Sequence, residues 1–238
     1  MSIRVGWSRY KGWDIDTTFM ELLLAEPENM ATFYSDTSAS FTNCPAVKMS
    51  LRNTWLIRSP VSIKYGFDHQ ANAAWSNQTS QYEERMIDPR YGQWAEGNRP
   101  FATFNWRYLF FADEPVWIDT FPPFLHESPR NARYIPGTYD IYNWHRPVDY
   151  SFEFKDPRAE VEIKQGDPLF YIRFRAPDLR AKFSLEEVEW SDKLSEATRR
   201  CSLPMFVPNQ AWQLIQRGNK LRPKRFLPRK FLRWIKRD

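Results

Sequence analysis

The stretch FATFNWRYLFFA, residues 101–112, decides the fold class of this chain. Across 102–110 every second residue is apolar or aromatic, and the first three residues between them are polar. This alternation is typical of a β-strand that turns one face to the core and the other to solvent. The stretch therefore predicts a half-buried strand near the middle of the chain.

The same period of two recurs on both sides of this strand. It predicts further strands at 3–7, 61–65, 148–154 and 161–163, and the segments 55–58 and 169–174 are also interpreted as strands. Glycine and proline separate these segments, as in the turn Gly166-Asp167-Pro168, and supply the corners that short strands need. We therefore predict a mainly β fold, an antiparallel jelly-roll-like β-sandwich with a short helical C-terminal segment.

The chain divides into three predicted parts. Residues 1–177 carry the strands and form the β-sandwich domain, interrupted by a long polar excursion at 70–100. Residues 178–218 form a helical segment, and residues 219–238 form a basic tail. Because long excursions in compact domains are often functional, the one at 70–100 is a place to look for a site.

Two helices are predicted in the helical segment. Ser184 followed by Glu187 is a capping box, and apolar residues then recur at helical spacing, which predicts a helix at 184–200. A second short helix is predicted at 209–217, with Gly218 as its C-terminal stop.

Cysteine content and hydropathy exclude several classes of protein. The two cysteines, Cys44 and Cys201, lie far apart and form no CxxC pair. Neither a zinc knuckle nor a disulfide framework is therefore indicated. No apolar run follows Met1, and none elsewhere is long enough to span a bilayer. We expect a soluble protein without a signal peptide or a transmembrane segment.

The positive charge is concentrated in the tail. Residues 219–238 hold nine basic residues and one acid, a net charge of +8, which leaves −3 of the total +5 for the rest of the chain. Cationic tails with interleaved aromatic residues bind anionic partners, so we predict contact with nucleic acid or an acidic protein surface. The alternative is a solvated tail, or one that docks on the acidic body. The candidate contact residues are Lys224, Arg225, Arg229, Lys230 and Arg233.

Four aromatic residues lie in the polar excursion, where burial is not assured. When exposed, such side chains stack on sugar or base faces or anchor a protein partner. The alternative is that the excursion packs them back onto the sandwich. These candidate binding residues are Trp75, Tyr82, Tyr91 and Trp94.

Loop histidines give an alternative hypothesis, a jelly-roll metal-dependent enzyme of oxygenase-like or nucleotide-processing type. Such an oxygenase site needs two histidines and a carboxylate that face one metal ion. His126, Glu127, Asp140 and His145 supply this set if their loops converge, although the H-x-[DE] pair common in these enzymes is absent. Local hydrogen bonding is the simpler role for these histidines, and apart from this metal ion no cofactor is predicted.

The sequence assigns no catalytic residue. It contains no Ser/His/Asp elbow, P-loop or dinucleotide fingerprint. The Gly166-Asp167-Pro168 turn resembles one that dUTPase-like folds carry late in the chain, but the glycine-rich phosphate-closing motif of those enzymes is absent. We therefore interpret it as a hairpin turn.

Several motifs resemble a known family. They are Cys44-Pro45-Ala46, NTWLIRSP at 53–60, Phe104-Asn105-Trp106, DIYNWHRP at 140–147 and GDPLFY at 166–171. The set is similar to a family of uncharacterised proteins of T4-like tailed phages, including cyanophages, and the N-W strand with its G-[DE]-P turn is similar to a bacterial domain of unknown function. The resemblance covers about residues 1–177 and implies a phage origin and a β-rich core, without assigned chemistry.

This resemblance gives the preferred functional hypothesis. We predict a phage-encoded, non-enzymatic binding or structural protein that acts in the host cytoplasm or in the virion. The sequence does not predict its oligomeric state.

Overall fold

The computed structural model describes most of the chain. The described residues are 2–11, 24–33, 43–68, 73–77, 87–94, 97–156, 158–202, 213, 216 and 219–228. They form a mainly β structure with antiparallel sheets, which confirms the predicted fold class at that level. No helix within these ranges is long and apolar enough to cross a membrane.

Each segment predicted as a strand from its period of two contains or overlaps one. The strands are β1 (Ser2–Arg9), β2 (Glu28–Asn29), β3 (Thr54–Arg58), β4 (Ile63–Asp68), β5 (Ala73–Ser76), β6 (Ile87–Trp94), β7 (Gly97–Ala112), β8 (Trp117–Phe121), β9 (Ala132–Tyr134), β10 (Gly137–Asp140), β11 (Pro147–Phe154), β12 (Val161–Ile163), β13 (Pro168–Arg175) and β14 (Lys182–Glu187). The helices are α1 (Met30–Phe33), α2 (Pro45–Leu51) and α3 (Asp192–Ser202).

The strands form three sheets. The first has the order β14-β1-β7-β11-β9, with β6 also paired to β7. The second has the order β10-β8-β13-β3-β2, and the third β12-β4-β5. Within the described part of the chain, β1 and β14 are the one parallel pair. The jelly-roll arrangement stays a prediction.

Aromatic side chains from all three sheets meet in one core. Phe104 of β7 packs edge-on against Tyr65 of β4, with ring centroids 5.8 Å apart. Phe110 of β7 contacts Phe174 of β13 at 6.1 Å. Edge-to-face pairs of this kind add about 0.5–1.5 kcal/mol each beyond the area they bury. The first sheet therefore packs against the second through β13 and against the third through β4.

The second half of β7 is buried on both faces, which alternation alone does not predict. Leu109 and Phe111 lie outside the main core and pack against Leu194 of α3 and against Leu227. Gly6 of the neighbouring β1 makes room, because a Cβ there would lie 2.8 Å from Leu227 Cδ2. Helix α3 and the C-terminal residues thus cover this part of the first sheet.

The prediction of a helix at 184–200 is wrong at its start. Ser184 and Glu187 lie in β14, which pairs with β1, and α3 begins only after this strand. The hydroxyl of Ser191 accepts a hydrogen bond from the Leu194 N–H at 3.4 Å and caps α3. Pairing with β1 overrides the local capping signal because a strand edge offers a row of backbone hydrogen bonds. The first sheet thus continues past the predicted end of the sandwich domain.

The predicted excursion contains strands rather than an irregular loop. Strand β5 pairs with β4, and β6 pairs with the first half of β7. Pairing of backbone groups needs no particular hydropathy pattern, so these two strands escape a search for alternation. Of the second predicted helix, Gln213 and Gln216 are described and helical, whereas Gly218 lies outside the described residues.

Candidate anion-binding cleft

An open cleft of about 140 Å³ lies where α2, β13 and β14 come together. Its walls are the end of α2 with the residues that follow, the end of β13, and the turn at 176–181 that leads into β14. Its polar lining residues are Arg52, Asn53, Arg173, Arg175 and Asp178. The cleft therefore carries three guanidinium groups and one carboxylate.

Asn53 holds the walls of the cleft together. Its φ of 59° lies in the left-handed region, which asparagine adopts more readily than most residues. Its side-chain amide donates to the Ala181 carbonyl at 3.0 Å, and its Oδ1 accepts from the Phe183 N–H at 3.3 Å. Its own carbonyl accepts from the Phe174 N–H at 3.0 Å. The end of β13, the turn and β14 are thus fixed to one residue.

Arg173 places a half-buried cation in the cleft. Its Nη2 donates to the Ser50 carbonyl at 2.5 Å and its Nε to Thr54 Oγ1 at 3.2 Å. The guanidinium carbon lies 4.7 Å from the centre of the Phe121 ring. Burial lowers the pKa of Arg173. Both hydrogen-bond acceptors are neutral, so they orient this cation without neutralising it.

The other two arginines differ in their partners. Arg52 donates from Nη2 to the Arg180 carbonyl at 2.8 Å. Arg175 pairs with Asp119, whose carboxylate also accepts a hydrogen bond from Thr138 Oγ1 at 2.8 Å. Within the described residues, neither Arg52 nor Arg173 has a carboxylate within 4.0 Å, and the charge of Asp119 acts on Arg173 only from a longer distance.

The surroundings of the cleft are also cationic. Lys48 lies one helical turn before Arg52, and Arg180 and Lys182 flank the lining residue Ala181. Against these stand the paired Asp119 and also Asp178, whose Oδ1 accepts from the Arg180 N–H at 2.9 Å. The three arginines that line the cleft focus a positive potential on this concave surface, which attracts anions.

Two exposed apolar side chains line the same cleft. Met49 of α2 is 64% exposed, and Leu179 at the tip of the 176–181 turn is 89% exposed. In the described part of the chain only five large apolar side chains are exposed, and two of these five line the cleft. The cleft thus combines unpaired cations with apolar surface.

The four residues of the metal hypothesis make separate local contacts. His126 Nδ1 lies 2.7 Å from the Tyr171 hydroxyl oxygen, and Glu127 is exposed. Asp140 accepts hydrogen bonds from the backbone of the turn that follows it, whereas His145 is buried against Cys201. Among the residues that the structure describes, no group of three His, Cys, Asp or Glu could hold a metal ion.

His145 and Cys201 line a small, closed pocket. The His145 side chain is buried, and its Nδ1 lies 3.9 Å from Cys201 Sγ. Burial, together with the charge of Arg222, lowers the pKa of His145 to about 4, and burial raises the pKa of the Cys201 thiol. Both groups are therefore neutral near pH 7, and the nucleophilic thiolate is disfavoured. The pocket volume of about 10 Å³ has room for one water molecule.

Residues 219–228, the C-terminal strap, close this pocket. Asp113 accepts hydrogen bonds from the backbone N–H groups of Phe226 at 2.7 Å and Leu227 at 3.2 Å. Arg222 lines the pocket and donates to a backbone carbonyl at the end of β7. The first half of the predicted tail thus docks on the body.

Two of the five predicted contact residues of the tail lie on the docked strap. Lys224 and Arg225 are exposed on the strap, which leaves them accessible to a partner. The other three predicted contacts, Arg229, Lys230 and Arg233, lie outside the described residues.

The four aromatic candidates lie on strands or outside the described residues. Trp75 is exposed on β5 and covers Gly66 of β4, where any Cβ would clash with the indole ring. Tyr91 and Trp94 belong to β6, and Tyr82 lies outside the described residues. Trp75 is therefore the one of the four whose exposure is established.

Comparison with protein-family models, curated proteins and solved structures finds no match. The candidate site therefore rests on geometry. A partial signal for it exists in RFRAPDLRAK at 173–182, where four cations surround a Pro-Asp turn and Asp178 of this turn is the one acid. Only the fold brings Arg52, from much earlier in the chain, to the same place.

Proposed function

We propose that this chain is a phage-encoded, non-enzymatic binding protein in which a jelly-roll-like β-sandwich is the scaffold and the arginine cleft binds an anionic partner. The observation that supports this proposal is the pair Arg52 and Arg173, which share a cleft and have no carboxylate within 4.0 Å among the described residues. The sequence resemblance is the observation that supports the proposed phage origin.

The physical argument concerns the hydration of these cations. A half-buried guanidinium loses part of its hydration, and neutral carbonyl or hydroxyl partners do not restore the lost charge stabilisation. An incoming carboxylate or phosphate oxygen forms charge-assisted hydrogen bonds with the remaining guanidinium N–H groups. Because the protein has already oriented these groups, little side-chain entropy is lost on binding.

Fluorescence anisotropy with a fluorescein-labelled hexaglutamate peptide tests the proposal. We expect the Arg52→Gln/Arg173→Gln double variant to bind at least about tenfold more weakly, since each charge-assisted hydrogen bond contributes about 1.5–3 kcal/mol. The matched control, Lys224→Gln/Arg225→Gln, removes the same charge from the strap. We expect it to change the affinity less than about twofold at 0.15 M salt.

Arg173 also packs on Phe121, so Arg52→Gln/Arg175→Gln serves as a second cleft variant that keeps this contact. Equal weakening by the cleft and strap variants would assign binding to general positive charge. Absence of saturable binding by the wild-type chain would overturn the proposal.

A further inference from the structure

We infer that the partner of the arginine cleft is an acidic peptide segment that carries an aliphatic side chain among its carboxylates. This inference rests on the proposed function and specifies the chemistry of its ligand. Met49 and Leu179 provide the apolar contacts, and Arg52 and Arg173 provide the ionic ones.

The apolar contribution follows from exposure. Leu179 is almost fully exposed at the tip of its turn, and Met49 projects from the solvent side of α2. Both side chains lose apolar contact with water if a partner covers them. A purely ionic ligand such as inorganic phosphate would leave this surface uncovered, whereas an aliphatic side chain would bury it.

The size of the cleft favours a peptide side chain over a larger ligand. Sites for drug-sized molecules and cofactors enclose about 300–1,000 Å³. The cleft holds about 140 Å³, enough for one or two side chains of a segment whose remainder lies outside. Clusters of arginine are also a recurring means of recognising acidic motifs in peptides.

The aromatic residues of the cleft argue against single-stranded nucleic acid. Proteins that bind single strands stack bases on exposed rings. Phe174 lies in the main core, and Phe183 is partly buried against it. Neither ring is free to act as a stacking platform, so an acidic peptide fits the cleft better than a strand of bases.

Competition against the labelled hexaglutamate probe tests this inference. The competitors are the acetylated, amidated peptides Glu-Glu-Leu-Glu-Glu and Glu-Glu-Ser-Glu-Glu, which carry the same charge. Burying one leucine side chain predicts that the leucine peptide binds about tenfold more tightly. We expect the Met49→Ser/Leu179→Ser variant to lose this preference while it keeps its affinity for the serine peptide.

Leu221→Ser is the matched control, because Leu221 is equally apolar and exposed but does not line the cleft. We expect it to keep the tenfold preference. Pyrophosphate and a short oligothymidylate complete the set of competitors.

Each outcome has a distinct meaning. Equal affinity for the two peptides, with dependence on Arg52, refutes the inference but leaves the proposed function in place. Tighter binding of pyrophosphate or oligothymidylate identifies a phosphate-bearing ligand and also refutes the inference. If none of these anions binds in a manner that depends on Arg52, both the inference and the proposed function are wrong.

Discussion

The arginine cleft and the pocket around His145 are both lined by arginine, but they differ in volume and in the charge state of the groups that line them. The cleft is open, holds about 140 Å³, and keeps Arg52 and Arg173 beside neutral partners. The pocket holds about 10 Å³ under the C-terminal strap, and burial keeps both its histidine and its thiol neutral.

This difference shows that the type of a residue does not decide whether a ligand can reach it. A Cys–His pair has the composition of a nucleophilic site, yet the pocket has no room for a substrate, and the thiol pKa is shifted away from the reactive form. The cleft arginines do not resemble a catalytic group, but they are accessible, and only Arg175 forms an ion pair among the described residues. In this protein, the accessible ordinary residues are the better candidates for function.

The largest expected effect is on the free energy of unfolding, when a substitution loosens the C-terminal strap over the closed pocket. We expect Leu227→Ala to lower the free energy of unfolding by about 3 kcal/mol, because a buried leucine leaves a cavity among Leu109, Phe111 and Leu194. Urea denaturation at pH 7 measures this change. Leu221→Ala, on the exposed side of the strap, should change stability by less than about 0.5 kcal/mol. Equal effects would mean that the strap does not pack as described.

Thiol labelling tests whether the pocket is closed in solution. Cys201 is buried, whereas Cys44 is exposed. We expect Ellman's reagent to modify Cys201 at least about 100-fold more slowly than Cys44, since the strap must open first and an opening free energy of about 3 kcal/mol gives this ratio. Cys44→Ser should remove the fast phase, and Cys201→Ser should retain it. A fast second phase in Cys44→Ser would show that the pocket is open.

The histidine of the closed pocket predicts a pH dependence of stability. The pKa of His145 is about 4 in the folded chain and about 6.5 when unfolded, so the unfolded state binds more protons between these values. Stability is therefore full above pH 6.5 and falls as the pH is lowered toward 4. At pH 5 we expect a loss of about 2 kcal/mol relative to pH 7, from about 1.36 kcal/mol for each unit of pKa difference.

Urea midpoints at pH 7 and pH 5 measure this loss. His145→Gln should abolish most of it, because glutamine does not titrate. His126→Gln is the control: burial also lowers the pKa of His126, but this residue is only partly buried. The His126→Gln variant should keep most of the pH dependence. If it loses as much as His145→Gln, the pocket histidine is not the main titrating group.

The smallest expected effect is on the free energy of unfolding when Arg175 of the cleft is replaced. Arg175→Gln removes the ion pair with Asp119, which is partly exposed and contributes less than about 1 kcal/mol. We expect its urea midpoint to stay close to that of the wild type. A large loss would mean that the cleft arginines are structural, and binding data from cleft variants would then need another interpretation.

Half of the described strands could be predicted, because their signal is local. Alternation across 102–110 and 148–154 records which face of each strand meets the core. The helix predicted at Ser184 shows the limit of local signals, because its capping box lies in β14, where pairing with the edge of β1 prevails.

The candidate sites could be predicted only in part. His145 stands out by residue type, but nothing local shows that it packs against Cys201, which lies on α3. Lys224 and Arg225 stand out by charge, and they are exposed. Arg52 does not stand out, because its significance depends on the neighbouring Arg173, which is distant in the sequence.

The sequence by itself determined the mainly β class, the positions of seven of the fourteen described strands and the concentration of charge at the C-terminus, because alternation and composition act through neighbouring residues. The tertiary structure alone decided the parallel pairing of β14, the docking of the strap, the neutral state of His145 and the assembly of the arginine cleft. These features arise from contacts between distant parts of the chain. The burial that lowers the pKa of His145, and the partial exposure that keeps the cleft arginines accessible, exist only once those contacts have formed.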